Sequence, residues 1–245
     1  MKRLLIFSLI ATALPLGGCN APKQLPQELV IVPDVSASIE PDAERQMFAA
    51  IEDVAQHLQR GDTLTIIPIT GDAEAELQGR TLHYAVPPVE DRQAYDADLG
   101  KLNAQIKNDL AHLQADAVAH PGKHTDIIGS IRVAMKEFSN KPTDKRLLVL
   151  TDFIQDDWQF NFRKDPRLAN AACASALGKT IASPNGEYSS VKVVLGRLES
   201  SDFSELVPSR QRAINAFWGQ VMAPAQVDPD GTAAVTHLSA IGRRE

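Results

Sequence analysis

The sequence predicts an α/β domain with a doubly wound, mainly parallel sheet flanked by helices. Three observations carry that prediction. Short apolar, mostly β-branched runs at residues 30–32, 63–70, 147–150 and 191–195 have the length and composition of buried strands. Between them lie longer stretches whose apolar residues recur three and four apart, the period of a helix with one buried face. Two of the apolar runs end in aspartates, Asp34 and Asp152, at one predicted edge of the sheet. In open α/β folds that carboxyl edge is where ligands bind. A chain of 245 residues with 44% hydrophobic content can fill one large core.

The amino terminus stands apart from this pattern. Lys2 and Arg3 precede an apolar run at 4–16, too short for a comfortable transmembrane span. It closes on Leu16-Gly17-Gly18-Cys19, which resembles the lipobox of bacterial lipoproteins. The resemblance implies a signal peptide over 1–18, a lipid on the Cys19 thiol, and a tether to residue 27. Extended, the eight residues 20–27 reach at most ~28 Å, so the folded body lies near the membrane. Asn20, where an aspartate would retain the protein at the inner membrane, favours the outer membrane facing the periplasm. With Cys19 acylated, Cys173 is the remaining thiol, expected as a small buried hydrophobe. A net charge of −6 with no basic face argues against nucleic acid.

From residue 28 the elements follow in order. Residues 41–59 form a helix with Met47, Phe48, Ile51, Val54, Ala55 and Leu58 inward, opened by Pro41 and closed near Gly61. The strand at 63–70 carries Pro68, which marks a bulge or a strand end. Residues 79–86 alternate as a short edge strand, antiparallel in the simplest arrangement, and Pro87-Pro88 stops it. A long helix over 91–118 presents Tyr95, Leu99, Leu102, Ile106, Leu110, Leu113 and Ala117; that spacing suits packing on the sheet or a short coiled-coil seam. Residues 120–124 break it, with His120 and His124 read as surface residues. Thr125-Asp126 opens the next helix at 127–138. A strand at 147–152, helices near 168–177 and 209–222, and a strand at 191–195 complete a domain over 28–222. A tail from 223 to 245 has little periodicity.

Asp34-x-Ser36-x-Ser38 follows the first strand, Thr125 stands at a loop-to-helix junction, and Asp152 ends a second buried strand. Singly, each suits a turn or a helix cap. Together, in this order, they resemble the metal-ion-dependent adhesion site of the von Willebrand factor type A (VWA) family, over roughly residues 28–222. The resemblance implies a Mg²⁺ (or Mn²⁺) ion bound directly by the hydroxyls of Ser36, Ser38 and Thr125 and mainly through water by Asp34 and Asp152. An Asp or Glu of a protein partner then completes the shell. Oxygen donors without His or Cys suit such hard cations. The third loop of the family usually reads Thr-Asp-Gly, whereas Phe153 follows Thr151-Asp152 here. On the adjoining loop Trp158, Phe160 and Phe162 alternate with polar residues, either as a partner-binding rim or as one side of a strand or satellite cluster.

The expected function is a non-catalytic, membrane-anchored, metal-dependent protein-binding module of the bacterial envelope. A haloacid-dehalogenase-like phosphotransferase or hydrolase is the alternative from another class, but it requires an aspartate where Ser36 stands. No glycine-rich phosphate loop or nucleophile elbow is present. A structural VWA scaffold with a vestigial metal site is the third reading.

Overall fold

The computed structural model describes residues 24–73, 80–120, 122, 124–182, 189–223 and 226–227. The expected signal peptide, Cys19, the first part of the tether and most of the tail lie outside the described residues. Six strands form one sheet: β1 (Gln27–Pro33), β2 (Thr63–Ile66), β3 (Leu82–Ala85), β4 (Asp144–Thr151), β5 (Lys192–Arg197) and β6 (Gln226–Val227). Their spatial order is β3-β2-β1-β4-β5-β6. All neighbours run parallel except β2 and β3, so the edge strand is antiparallel as its pattern predicts.

Period-two alternation divides β1 between two cores. Leu29 and Ile31 face one side of the sheet, with Leu64, Ile66, Leu148 and Leu150. There they meet α1 (Pro41–Gln56), through Met47 and Ile51, and α2 (Arg92–Ala119), through Ile106 and Leu110. Val30 and Val32 face the other side, with Leu147, Val149 and Val193. That side is covered by α3 (Ile127–Lys136), α4 (Ala171–Ile181) and α6 (Pro208–Val221), while α5 (Ser201–Ser204) is a single turn after β5. Strands buried on both faces read as continuous apolar runs, which is why the sequence reveals them. The long helix packs on the sheet and α1, not in a coiled-coil seam.

Several boundaries move for identifiable reasons. The ladder of β2 stops at Ile66, before Pro68. The Ile67 and Ile69 amides still donate to the Ile31 and Pro33 carbonyls, both at 2.9 Å, so the proline's missing N–H falls on the side away from β1. The helix expected at 168–177 begins three residues later, because the Asn170 side chain accepts the Cys173 amide at 2.9 Å and caps α4 there. A short 3₁₀ turn, Pro166–Leu168, precedes it. Helix α1 ends early at Gln56, and the buried Asp62 carboxylate takes the Gln59 and Gln27 amides, both at 2.8 Å, tying the helix exit to the start of β1. Gln226–Val227, in the expected tail, pairs with Lys192 and Val193 as the far edge of the sheet.

Candidate functional site

Asp34 leaves β1 in the crevice between β2 and β4. Its amide donates to the Leu150 carbonyl at 2.8 Å, and it bridges Ile69 on the other flank. The side chain is fully buried. Oδ1 accepts the Ser36 amide at 2.9 Å, which folds the loop back over the strand end, and Oδ2 accepts the Thr151 hydroxyl at 2.6 Å. Ser36 and Ser38, thrown to one side by their alternate positions, stand with their Oγ atoms 3.0 Å apart. Burial pushes the Asp34 carboxyl above its ordinary range, against the pull of the Thr151 and Ser36 hydrogen bonds.

Asp152 reaches the same edge from β4 and is 1% exposed. Its Oδ1 accepts the Ile154 amide at 2.8 Å, while Oδ2 is buried and has no hydrogen-bond partner among the described residues. Burial, and next the charge of Asp34, push its carboxyl up to about 6. The Ile154 amide, the Ser200 side chain, which stands close to the carboxyl but outside hydrogen-bond geometry, and Arg163 oppose that shift. A buried oxygen with nothing to accept is costly, because it has lost water without replacement.

Phe153, which follows Asp152, adopts a left-handed backbone conformation that favours glycine, with φ 66°. A non-glycine residue in that left-handed region costs roughly 1–3 kcal/mol. Packing supplies the compensation: the ring is buried 5.7 Å from Trp218, and the Trp218 indole N–H donates to the Phe153 carbonyl at 3.0 Å.

Thr125 is held between two neighbours of the pair. Its amide and carbonyl exchange hydrogen bonds with Asp156 at 2.7 and 3.0 Å, and the next amide, of Asp126, donates to the Thr70 carbonyl at 2.7 Å. Asp126 caps α3 by accepting the Gly129 amide at 2.8 Å. Behind them Gln155, fully buried, uses its whole side chain. Oε1 accepts the Ile127 and Ile128 amides at 2.9 and 3.1 Å, and Nε2 donates to Asp126 and Asp157 at 3.0 and 2.7 Å.

The sequence reading missed Thr151, Gln155 and Thr70. Thr151 had a visible signal, a lone hydroxyl just before the second aspartate. Gln155 had none, because three of its four partners, the Ile127 and Ile128 amides and Asp126, lie nearly thirty residues away. Thr70 lies four residues beyond β2, buried, and its hydroxyl has no hydrogen-bond partner among the described residues.

The aromatic rim requires correction. Trp158 is 83% exposed, but Phe160 and Phe162 are 5% and 0% exposed. They belong to a cluster with Phe217 and Trp218, in which the Phe162 and Phe217 rings pack edge-on at 4.8 Å. The loop folds back because Asp157 Oδ1 accepts the Gln159 and Phe160 amides, which buries the alternate aromatics and leaves Trp158 at the tip. Cys173 is also corrected: it lies in the first turn of α4 facing solvent, not in the core.

The strand order with a single reversed edge strand, and aspartates ending β1 and β4, complete the pattern. The fold is a doubly wound α/β domain with one antiparallel edge strand. No protein-family profile and no curated protein matches the chain in sequence. Among solved structures it resembles conserved hypothetical protein BatB of Bacteroides thetaiotaomicron, at 13% identity and TM-score 0.45, covering 88% of this chain and 95% of that one. An aerotolerance-related membrane protein of Bacteroides fragilis is 14% identical with TM-score 0.44, over 87% of this chain and 96% of that one. A von Willebrand factor type A protein from Catenulispora acidiphila is 15% identical with TM-score 0.45, over 89% and 42% of the two chains. Among the described residues no helix is long and apolar enough to cross a membrane. Nor do three His, Cys, Asp or Glu side chains gather as metal ligands there.

Proposed function

We propose that this VWA-like domain binds a protein partner through a divalent cation, Mg²⁺ or Mn²⁺, held by Ser36, Ser38 and Thr125 with Asp34 and Asp152 behind them. One observation supports this above the rest: Asp152 Oδ2 is buried and unpartnered beside a second buried carboxylate. Two such groups repel each other, and a cation between them relieves both the repulsion and the missing hydrogen bond. The ion, when bound, supplies an electrophilic position for an incoming Asp or Glu. The chain's own residues fix the geometry: Thr151 locks one oxygen of Asp34, Ser36 curls the loop, and Gln155 holds the start of α3 so that Thr125 stays at the rim. Trp158, presented at the tip of a braced loop, adds an aromatic anchor for the partner. In this reading Cys19 carries the lipid that keeps the module at the envelope, at the outer membrane on its periplasmic side.

Catalysis is not part of the reading. Asp34 is fully buried with both oxygens engaged in hydrogen bonds, a poor state for the nucleophile of a phosphotransferase. A vestigial scaffold would have no reason to keep an unsatisfied Asp152.

The test is the thermal midpoint of the protein titrated with Mg²⁺ and Mn²⁺, beside Asp34→Ala. A cation bound only by the folded state raises the midpoint; a hundredfold excess over Kd contributes about 2.7 kcal/mol. The wild type should rise and the variant should not. Equal behaviour of the two, together with partner capture insensitive to EDTA, would defeat the proposal.

A further inference from the structure

Arg197 closes β5 at the edge where Asp152 leaves β4. Its backbone pairs with Thr151, the residue before Asp152. Its guanidinium lies over the ring of Phe153, the residue after Asp152, 5.3 Å from the centroid, and over a second ring, Phe203, at 4.2 Å. One Nη donates to the neutral side chain of Asn215 at 2.7 Å, and no ion pair forms among the described residues. Arg163, the cation opposing the shift of Asp152, is by contrast tied to Asp202. A half-buried guanidinium, clamped by two rings, thus keeps its charge and most of its five donors beside a buried carboxylate oxygen that has no partner there. It also lines a cavity of about 760 Å³ between Pro41 and α5, as the one cation among the lining residues. Glu40 and Glu199, on the same lining, are exposed to solvent, and Asp42 is taken by Arg45.

This charge acts with opposite sign on the two groups that the proposed docking brings together. A divalent cation approaching Asp152 is repelled by a guanidinium next to it, across protein rather than open water. A carboxylate approaching that cation is attracted by the same guanidinium, which the rings already hold in place, so little side-chain entropy is lost. Without an ion, Arg197 faces the charge of Asp152; with one, that charge is taken up and the guanidinium is left for the carboxylate. We infer that Arg197 makes cation and partner bind together, weakening the hold on the cation alone and strengthening the hold on the partner's carboxylate. The inference rests on the proposed cation-dependent docking and names the residue that regulates it.

Mg²⁺ and the peptide Ac-Gly-Gly-Asp-Gly-Gly-NH₂ test it on the full chain. Arg197→Met keeps an apolar contact with both rings and loses the charge. It should bind Mg²⁺ alone roughly threefold more tightly than the wild type, by thermal titration, and bind the peptide in saturating Mg²⁺ roughly tenfold more weakly, by calorimetry. Asn215→Asp leaves the guanidinium in place and gives it a carboxylate, so it should shift both affinities in the same directions, and it carries the test if Arg197→Met does not fold. Arg197→Lys, which keeps the charge, should stay within about twofold of the wild type in both. A residue that merely props the loop would weaken both affinities when replaced, and that outcome overturns the inference. Variants indistinguishable from a wild type that responds to Mg²⁺ overturn it too, and leave cation docking intact. A wild type that takes up Mg²⁺ but never the peptide overturns the carboxylate. No rise of the wild-type midpoint with Mg²⁺ overturns the cation reading and this inference with it.

Discussion

Two polar clusters stand side by side at the carboxyl edge of the sheet, both drawing on residues 151–157. They are built on opposite plans. Around Gln155 every donor and acceptor of the side chain is used, and the network joins α3, the Asp156 loop and the cap residue Asp126 into one unit. Around Asp34 and Asp152 two carboxylates are buried near each other, one with an oxygen left without a partner. The chain evidently can satisfy buried polar groups here, since it does so a few residues away. The open cluster is the one that the proposed cation would complete, and the closed cluster is the frame beside it.

The largest effect should come from breaking the closed cluster. Gln155→Ala strands two buried amides and removes a donor from two carboxylates, a loss of about 4 kcal/mol by urea unfolding. Phe162→Ala, under the same loop, should cost a similar ~4 kcal/mol through the cavity it leaves. If Gln155→Ala is as stable as the wild type, the contrast between the clusters fails.

The open cluster should respond in the other direction and with pH. Asp152 holds its proton up to about 6 in the folded state, against an ordinary value of 3.8. Between those values the folded protein binds more protons than the unfolded one, so stability falls as pH rises through that window. In EDTA Asp152 should contribute about 3 kcal/mol to that fall, the raised Asp34 carboxyl adding to it in the same direction, and Asp152→Asn should make the profile measurably shallower. A flat profile in the wild type would show that Asp152 is not confined as described.

Smaller effects sharpen the comparison. Thr70→Val should gain about 1 kcal/mol in the absence of ligand, because it deletes an unsatisfied hydroxyl of nearly the same volume. Trp158→Ala should change stability by less than about 0.5 kcal/mol, since the ring is in water, yet weaken partner capture. Destabilisation by Trp158→Ala comparable with that of Phe162→Ala would erase the distinction between tip and anchor.

The aromatic loop shows where sequence reading succeeds and where it stops. Trp158, Phe160 and Phe162 are equivalent as a pattern, one aromatic at every second position. Alternation tells which residues share a side, but Asp157 folds the chain between Trp158 and Phe160, and the shared side is lost. Cys173 fails for a related reason: burial is its common state, yet the Asn170 cap sets the phase of α4 and turns that position outward. Asp34 and Asp152, by contrast, were legible because each closes an apolar run whose register is fixed by burial on both faces. Phe153 lies between these cases. Its presence was plain, but only the contact with Trp218 explains how a phenylalanine occupies a glycine's conformation.

The sequence by itself determined the layered α/β architecture, the antiparallel edge, the long α2 and the edge at which the two aspartates gather. All of these follow from local periodicity and from the need to bury both faces of a parallel sheet. Tertiary structure alone decided which polar groups are satisfied. Gln155 meets Ile127, Thr151 meets Asp34, and the Thr70 hydroxyl and Asp152 Oδ2 have no hydrogen-bond partner among the described residues. Those pairings join residues far apart in the chain, and no pattern of neighbours along a strand or helix encodes the distance between them.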